Sequence, residues 1–208
     1  MIDEQLFQAK KLYPFQEKTV NAIIDELDKN GSDYNLLFQL PTGGGKTVIF
    51  SEVAKSYIER YQKKVLILTH RIELSVQTSK QLNAIGISNK VISSDVKSLI
   101  DEEHHPCYIA MVETLNNRLQ ENENFVDGVG LVIVDEAHRG YTLDQDMTEG
   151  ELATRDASQY LSSYRRVLDY FDAFKVALTA TPAKHTSEIF GKPVYTYSYR
   201  EAVADDWL

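Results

Sequence analysis

Cysteine is nearly absent: Cys107 is the single one in 208 residues. With no second thiol, an intrachain disulfide framework is excluded, and the usage fits a reducing cytoplasm. No apolar run approaches the roughly 20 residues that span a bilayer, so neither a transmembrane helix nor a membrane partner is expected. The opening residues Met1-Ile2-Asp3-Glu4-Gln5 carry acids where a signal peptide needs bases ahead of an apolar stretch. Positive charge is also short. Lys and Arg number 22 against 31 Asp and Glu, a formal net charge of −9. Bulk attraction to polyanions is thereby excluded, and any contact with phosphates must come from a few local groups. Internal repeats and low-complexity tracts are missing too. What remains is ordinary: 43% hydrophobic and 25% charged residues, enough for one large domain with a real core.

Short apolar runs alternate with helical patterns. Leu36–Leu40, Val65–Leu68, Tyr108–Met111, Leu131–Val134 and Val176–Leu178 read as strands, with Val91-Ile92 a weaker sixth. These runs are continuous rather than alternating, which marks strands buried on both faces of a parallel sheet. Helical spacing links Val20, Ile23, Ile24 and Leu27, then Val48, Ile49, Val53, Tyr57 and Ile58, and a further helix covers Leu74 to Gln81. Strand–helix alternation of this kind predicts a doubly wound α/β sheet, whose ligands bind at the carboxyl ends of the strands. Residues 139–175 break the rhythm. They hold Asp144, Asp146, Glu149, Glu151 and Asp156, read as a solvated loop because no ligand spacing is present, and then a helical stretch around Tyr160–Phe171.

The chemistry-bearing motifs follow strands, as that fold requires. Pro41-Thr42-Gly43-Gly44-Gly45-Lys46-Thr47 comes after the first strand and opens a helix. Three glycines let backbone N–H groups converge on phosphate oxygens at the positive end of a helix. Lys46 is placed to reach the β- and γ-phosphates, and the Thr47 hydroxyl to bind Mg²⁺. The strict phosphate-loop pattern has glycine at the position of Leu40. Farther on, Leu131–Val134 delivers Asp135-Glu136-Ala137-His138 to a strand end. Asp135 suits a Mg²⁺ ligand and Glu136 a general base for an attacking water, with His138 placed to couple the site to neighbouring loops. His-Glu-x-x-His is absent, which excludes the common zinc-protease pattern. His104-His105-Pro106-Cys107 lacks the second cluster that would close a tetrahedral metal site.

Together these motifs resemble superfamily 2 helicases and translocases of the DEAH-box-like type, where a phosphate loop preceded by a residue such as Leu40 is a usual variant. Further elements agree in order. Tyr13-Pro14-Phe15-Gln16 is similar to the family's upstream glutamine element, with Gln16 reading adenine. Thr69-His70-Arg71-Ile72-Glu73-Leu74 and Val112-Glu113-Thr114-Leu115 resemble its two backbone-contacting elements, which makes Arg71 and Thr114 candidate nucleic-acid contacts. Thr179-Ala180-Thr181-Pro182 resembles the motif that links nucleotide state to the strand through Thr179 and Thr181. The run Asp135–Tyr141, the Tyr164–Phe171 helix and Phe190–Val203 resemble the restriction-enzyme branch, which holds the motor subunit of type I systems and the Res subunit of type III systems. Between those two types the sequence leaves the choice open.

The resemblance implies a RecA-like P-loop domain with a mostly parallel sheet and helices on both faces. It implies ATP and Mg²⁺ as cofactors, with Thr42, Gly43, Gly44, Gly45, Lys46 and Thr47 around the phosphates. The expected organisation is an N-terminal helical segment over 1–30 bearing the glutamine element, the ATP-binding lobe over 31–188, and a connector over 189–208 toward a second lobe outside the chain. That second lobe would supply arginine fingers. DNA is the expected partner, held weakly by this lobe alone. A nuclease domain and specificity or methylation subunits are expected in the full enzyme. The alternative function is a nucleotide-gated, nucleic-acid-binding switch without productive hydrolysis. Lys46 together with Glu136 favours an ATP-driven motor, since a pure switch needs no base.

Overall fold

Each of the six apolar runs falls on a strand, the first overrunning it by Leu40: β1 (Asn35–Gln39), β2 (Lys64–Thr69), β3 (Asn89–Ile92), β4 (Cys107–Met111), β5 (Val129–Asp135) and β6 (Phe174–Thr179). The computed structural model describes residues 12–30, 34–41, 45–100, 103–135, 159, 162–180 and 184–206. Helices α1 (Pro14–Lys29), α2 (Lys46–Tyr61), α3 (Ile72–Ala84) and α4 (Val112–Glu121) fall where the apolar spacing predicts or directly after a strand. Helix α5 covers 162–170, inside the helical stretch read around Tyr160–Phe171. After β6 come α6 (Lys184–Phe190), β7 (Tyr195–Thr196) and α7 (Tyr199–Ala204). The acidic residues Asp144, Asp146, Glu149, Glu151 and Asp156 lie outside the described residues.

The seven strands form one sheet in the order β3-β4-β2-β5-β6-β1-β7. Every pairing is parallel. Successive side chains on a strand point to opposite faces, so a parallel sheet covered by helices on both sides needs apolar residues at every position. The core divides accordingly. Leu36, Phe38, Val65, Ile67, Ile133 and Val176 pack on one face with Ile23 of α1, Ile49 and Val53 of α2, and Leu82 of α3. Leu37, Leu66, Leu68, Val132, Val134 and Ala177 pack on the other with Leu115 and Leu119 of α4 and Tyr164, Val167 and Leu168 of α5. Adjacent strand residues thus enter opposite layers, which is why the runs read as unbroken apolar stretches.

The segment after β6 is built into the sheet. Val194 N–H donates to the Leu37 carbonyl and Tyr197 N–H to that of Gln39, each at 2.9 Å, seating β7 on the free edge of β1. Phe15 stacks on Tyr197 at 5.0 Å, so α1 closes over the same end. Among the described residues, no helix is long and apolar enough to cross a membrane.

Candidate nucleotide and nucleic-acid site

The carboxyl ends of β1, β6, β5, β2 and β4 share one edge of the sheet, and the sequence-identified residues fall along it. β1 ends at Gln39, and Leu40 N–H donates to the Thr179 carbonyl at 2.9 Å, continuing the ladder one residue further. The Leu40 side chain is fully buried in the core. Where the strict motif has glycine, this chain uses an apolar side chain to anchor the root of the loop.

Gly45 is the N-cap of α2 and adopts φ 71°, ψ 42°. That left-handed conformation is natural for glycine and strained for residues with a Cβ. A second constraint acts at the same place. A Cβ built on Gly45 would stand 2.3 Å from Nε2 of Gln16. Gln16 is buried on the first turn of α1, and its Oε1 accepts from the Tyr13 N–H at 3.0 Å. The glutamine element is thus pressed against the turn that opens α2, although 29 residues separate the two in sequence. No acidic residue occupies the first turn of α2, and Lys46 and Thr47 there are both half-buried. An uncompensated positive helix end next to a glycine turn suits a bound phosphate.

Asp135 closes β5, nearly fully buried at 5% exposure. It lies opposite Leu178 of β6, while Gln39 lies opposite Thr179. One strand, β6, therefore separates the Asp135 end from the phosphate turn. At about 4.8 Å per strand, the ends of β5 and β1 stand roughly 10 Å apart. Thr179, fully buried, ends the strand between them. Gln39 Nε2 donates to the Ala180 carbonyl at 3.2 Å, tying β1 to the segment that leaves β6. This tie went unread in the sequence; its one signal was a polar residue inside an apolar run.

β2 and β4 are neighbours, with Thr69 opposite Met111. Arg71, exposed, is the N-cap of α3, and Thr114, half-buried, sits on the first turn of α4. The two candidate backbone contacts therefore leave adjacent strand ends. The Thr69 hydroxyl lies 2.6 Å from that of Ser75 and donates to the Arg71 carbonyl at 3.3 Å, which fixes the turn presenting Arg71. Neither α3 nor α4 has a side-chain cap at its N-terminus. Their first-turn N–H groups have no intrahelical acceptor and suit phosphate oxygens. Thr42, Gly43, Gly44, Glu136, His138 and Thr181 lie outside the described residues. Cys107, at the opposite, amino end of β4, is fully buried, and burial pushes its thiol up to about 12.

A family profile described as "Type III restriction enzyme, res subunit" matches residues 9–184. The endonuclease subunit of the type I restriction enzyme EcoKI of Escherichia coli K12 is 40% identical over 201 residues, covering 93% of this chain and 17% of that subunit. Among solved structures, the type ISP restriction-modification enzyme LlaBIII bound to DNA superposes with a TM-score of 0.67 at 17% identity, over 96% of this chain and 16% of that one. The UvsW helicase of bacteriophage T4 does so at 0.54 and 18% identity, over 95% and 72%. The structural likenesses establish the fold, that of a RecA-like helicase domain. The chain spans about a sixth of the EcoKI subunit it matches. By the profile match over most of its length and by its identity to that subunit, this chain is a member of the type III restriction enzyme Res-subunit family, a helicase-like ATPase family.

Proposed function

We propose that this chain is the ATP-binding motor lobe of a DNA-dependent helicase or translocase within a restriction enzyme. The observation that carries the proposal is the placement of the Gly45–Lys46 turn and Asp135 on either side of β6, along the same edge as Arg71 and Thr114. That edge suits a nucleotide next to a nucleic-acid strand, and the family supports the same reading.

The residues fit ATP with Mg²⁺. Gly45 turns in the left-handed region at a helix start with no side-chain cap, and the buried Asp135 offers a carboxylate at the strand end. Lys46 and the N–H groups of Thr42, Gly43, Gly44 and Gly45 would hold the phosphates, with Gln16 toward the base. Thr47 and Asp135 would hold the metal, which when bound neutralises phosphate charge. Glu136 would accept the proton of the attacking water. His138, Thr179 and Thr181 would relay nucleotide state to the nucleic-acid face. Arg71 and Thr114 would hold the DNA backbone, which fixes register without reading sequence. A second lobe would contribute arginines, and a nuclease domain with specificity or methylation subunits would complete the enzyme.

The test uses the intact polypeptide. Glu136→Gln should bind ATP like the wild type and lose DNA-stimulated phosphate release, because an amide cannot take the proton. Asp135→Asn should instead impair Mg²⁺-dependent binding. Hydrolysis at the wild-type rate in Glu136→Gln would place the base elsewhere, whereas nucleotide binding with no DNA-stimulated phosphate release by the wild type would favour the nucleotide-gated switch instead.

A further inference from the structure

Tyr197, the residue after β7, stands where three parts of the chain meet. Its N–H donates at 2.9 Å to the Gln39 carbonyl, in the peptide that joins β1 to Leu40 at the root of the phosphate loop. Its ring stacks on Phe15, with centroids 5.0 Å apart and planes 4° from parallel. Its hydroxyl donates to Asp205, just after α7. Backbone, ring face and hydroxyl are each committed, and the side chain is buried. The ring contact falls on the first turn of α1, which bears the glutamine element. Residues one helical turn apart share a face, as do residues two apart on a strand. Here the two rows meet: Phe15 lies against Tyr197, and the Thr19 hydroxyl is 3.4 Å from that of Tyr195. The start of α1 thus rests on the β7 segment.

Gln16 is the next residue after Phe15. Its Oε1 accepts from the Tyr13 N–H, and its Nε2 lies against Gly45. A carboxamide suits adenine because it offers an acceptor to the N6 amino group and a donor to N7, whereas guanine presents two acceptors there, O6 and N7. Such discrimination holds only while the carboxamide is in place, since hydrogen bonds weaken steeply with distance and angle. Gln16 and the phosphate turn belong to different helices, α1 and α2. The spacing between base and phosphates is therefore set by what holds the first turn of α1 to the end of β1, and Tyr197 touches both.

We propose that Tyr197 is a positioning residue for the nucleobase: by clamping the first turn of α1 to the end of β1, it holds Gln16 at the spacing from the Gly45 turn that selects adenine over guanine nucleotides. This rests on the ATP-binding reading above and adds to it a residue outside the phosphate loop and the glutamine element.

The experiment is a calorimetric titration of ATP, GTP and inorganic tripolyphosphate, each with Mg²⁺, into the intact polypeptide, for wild type, Gln16→Ala, Tyr197→Leu and Tyr197→Phe. Tripolyphosphate reports the phosphate turn alone. The wild type should prefer ATP to GTP by roughly tenfold or more, the discrimination of one bidentate pair. Tyr197→Leu should bring that ratio down to the value of Gln16→Ala while tripolyphosphate affinity holds. Tyr197→Phe keeps the ring on Phe15 and should keep the ratio. If Tyr197→Leu does not fold, Phe15→Leu removes the same stack from the other side and carries the same expectation. A wild-type ratio in the leucine variant, with the ratio lost in Gln16→Ala, would overturn the proposal and leave the nucleotide site standing. So would a parallel loss of all three ligands at constant ratio, which is what general damage to the fold produces. A ratio unchanged in Gln16→Ala would leave no base reading for Tyr197 to position and would overturn it as well. Wild-type protein that binds none of the three ligands would instead bring down the ATP-binding reading itself.

Discussion

Gly45→Ala is the substitution whose cost the structure defines most closely, because two separate constraints meet there. The first is conformational: φ at 71° places an alanine in the left-handed region, at about 1–2 kcal/mol. The second is steric. The new Cβ would stand 2.3 Å from Gln16 Nε2, the far end of a flexible side chain, so the glutamine must swing away. Swinging gives up the bond that Gln16 Oε1 accepts from the Tyr13 N–H, a net loss of about 0.5–1.5 kcal/mol. The sum is about 1.5–3.5 kcal/mol. Only the second part should vanish when the glutamine is already gone. In a Gln16→Ala background, Gly45→Ala should therefore cost about 1–2 kcal/mol, leaving a coupling of roughly 1 kcal/mol between the sites. Urea unfolding of the four proteins, followed by circular dichroism, measures that coupling. Equal costs in both backgrounds would refute the claim that the glutamine element bears on the phosphate turn.

Leu40→Ala should destabilise the chain by about 2–5 kcal/mol, because the side chain is fully buried beneath the loop and leaves a cavity; an unchanged urea midpoint would contradict its anchoring role. Cys107 should resist alkylation at pH 8 until the protein unfolds, since the folded thiol sits near 12 rather than 9.0. The same shift sets a sign: a raised thiol pKa withdraws stability only as pH climbs from about 9 toward 12, so ionisation of Cys107 should contribute nothing to unfolding free energies compared at pH 6 and pH 8.

The strands were legible because burial on both faces demands unbroken apolar runs, and Leu131–Val134 or Val65–Leu68 admit no other reading at that length. β7 was not. Tyr195-Thr196 is two residues long and is held by backbone bonds to β1, which leave no side-chain pattern. Arg118 misleads in the opposite way. A charged residue on a short helix reads as surface, yet it is buried, donating to the Ser94 and Val96 carbonyls at 2.7 and 2.8 Å and so pinning the loop after β3 to α4. For the site, the phosphate turn and the acidic strand end were legible as local motifs, since each needs fixed residue types at fixed spacing after a strand. Their separation by β6 was not, because it depends on the strand order. Nor was the contact of Gln16 with Gly45, which arises only when α1 folds over the start of α2.

Calorimetric titration of ATP-Mg²⁺ into this chain and into its Lys46→Ala variant tests the central claim most directly. Lys46 is half-buried at the start of α2, outside both halves of the hydrophobic core, so its loss should leave the fold intact by circular dichroism. The account predicts saturable binding of one nucleotide per wild-type chain and a severe loss of affinity in the variant. Equal affinity in two well-folded proteins would show that the Gly45–Lys46 turn does not hold the phosphates, and the nucleotide site would have to lie elsewhere.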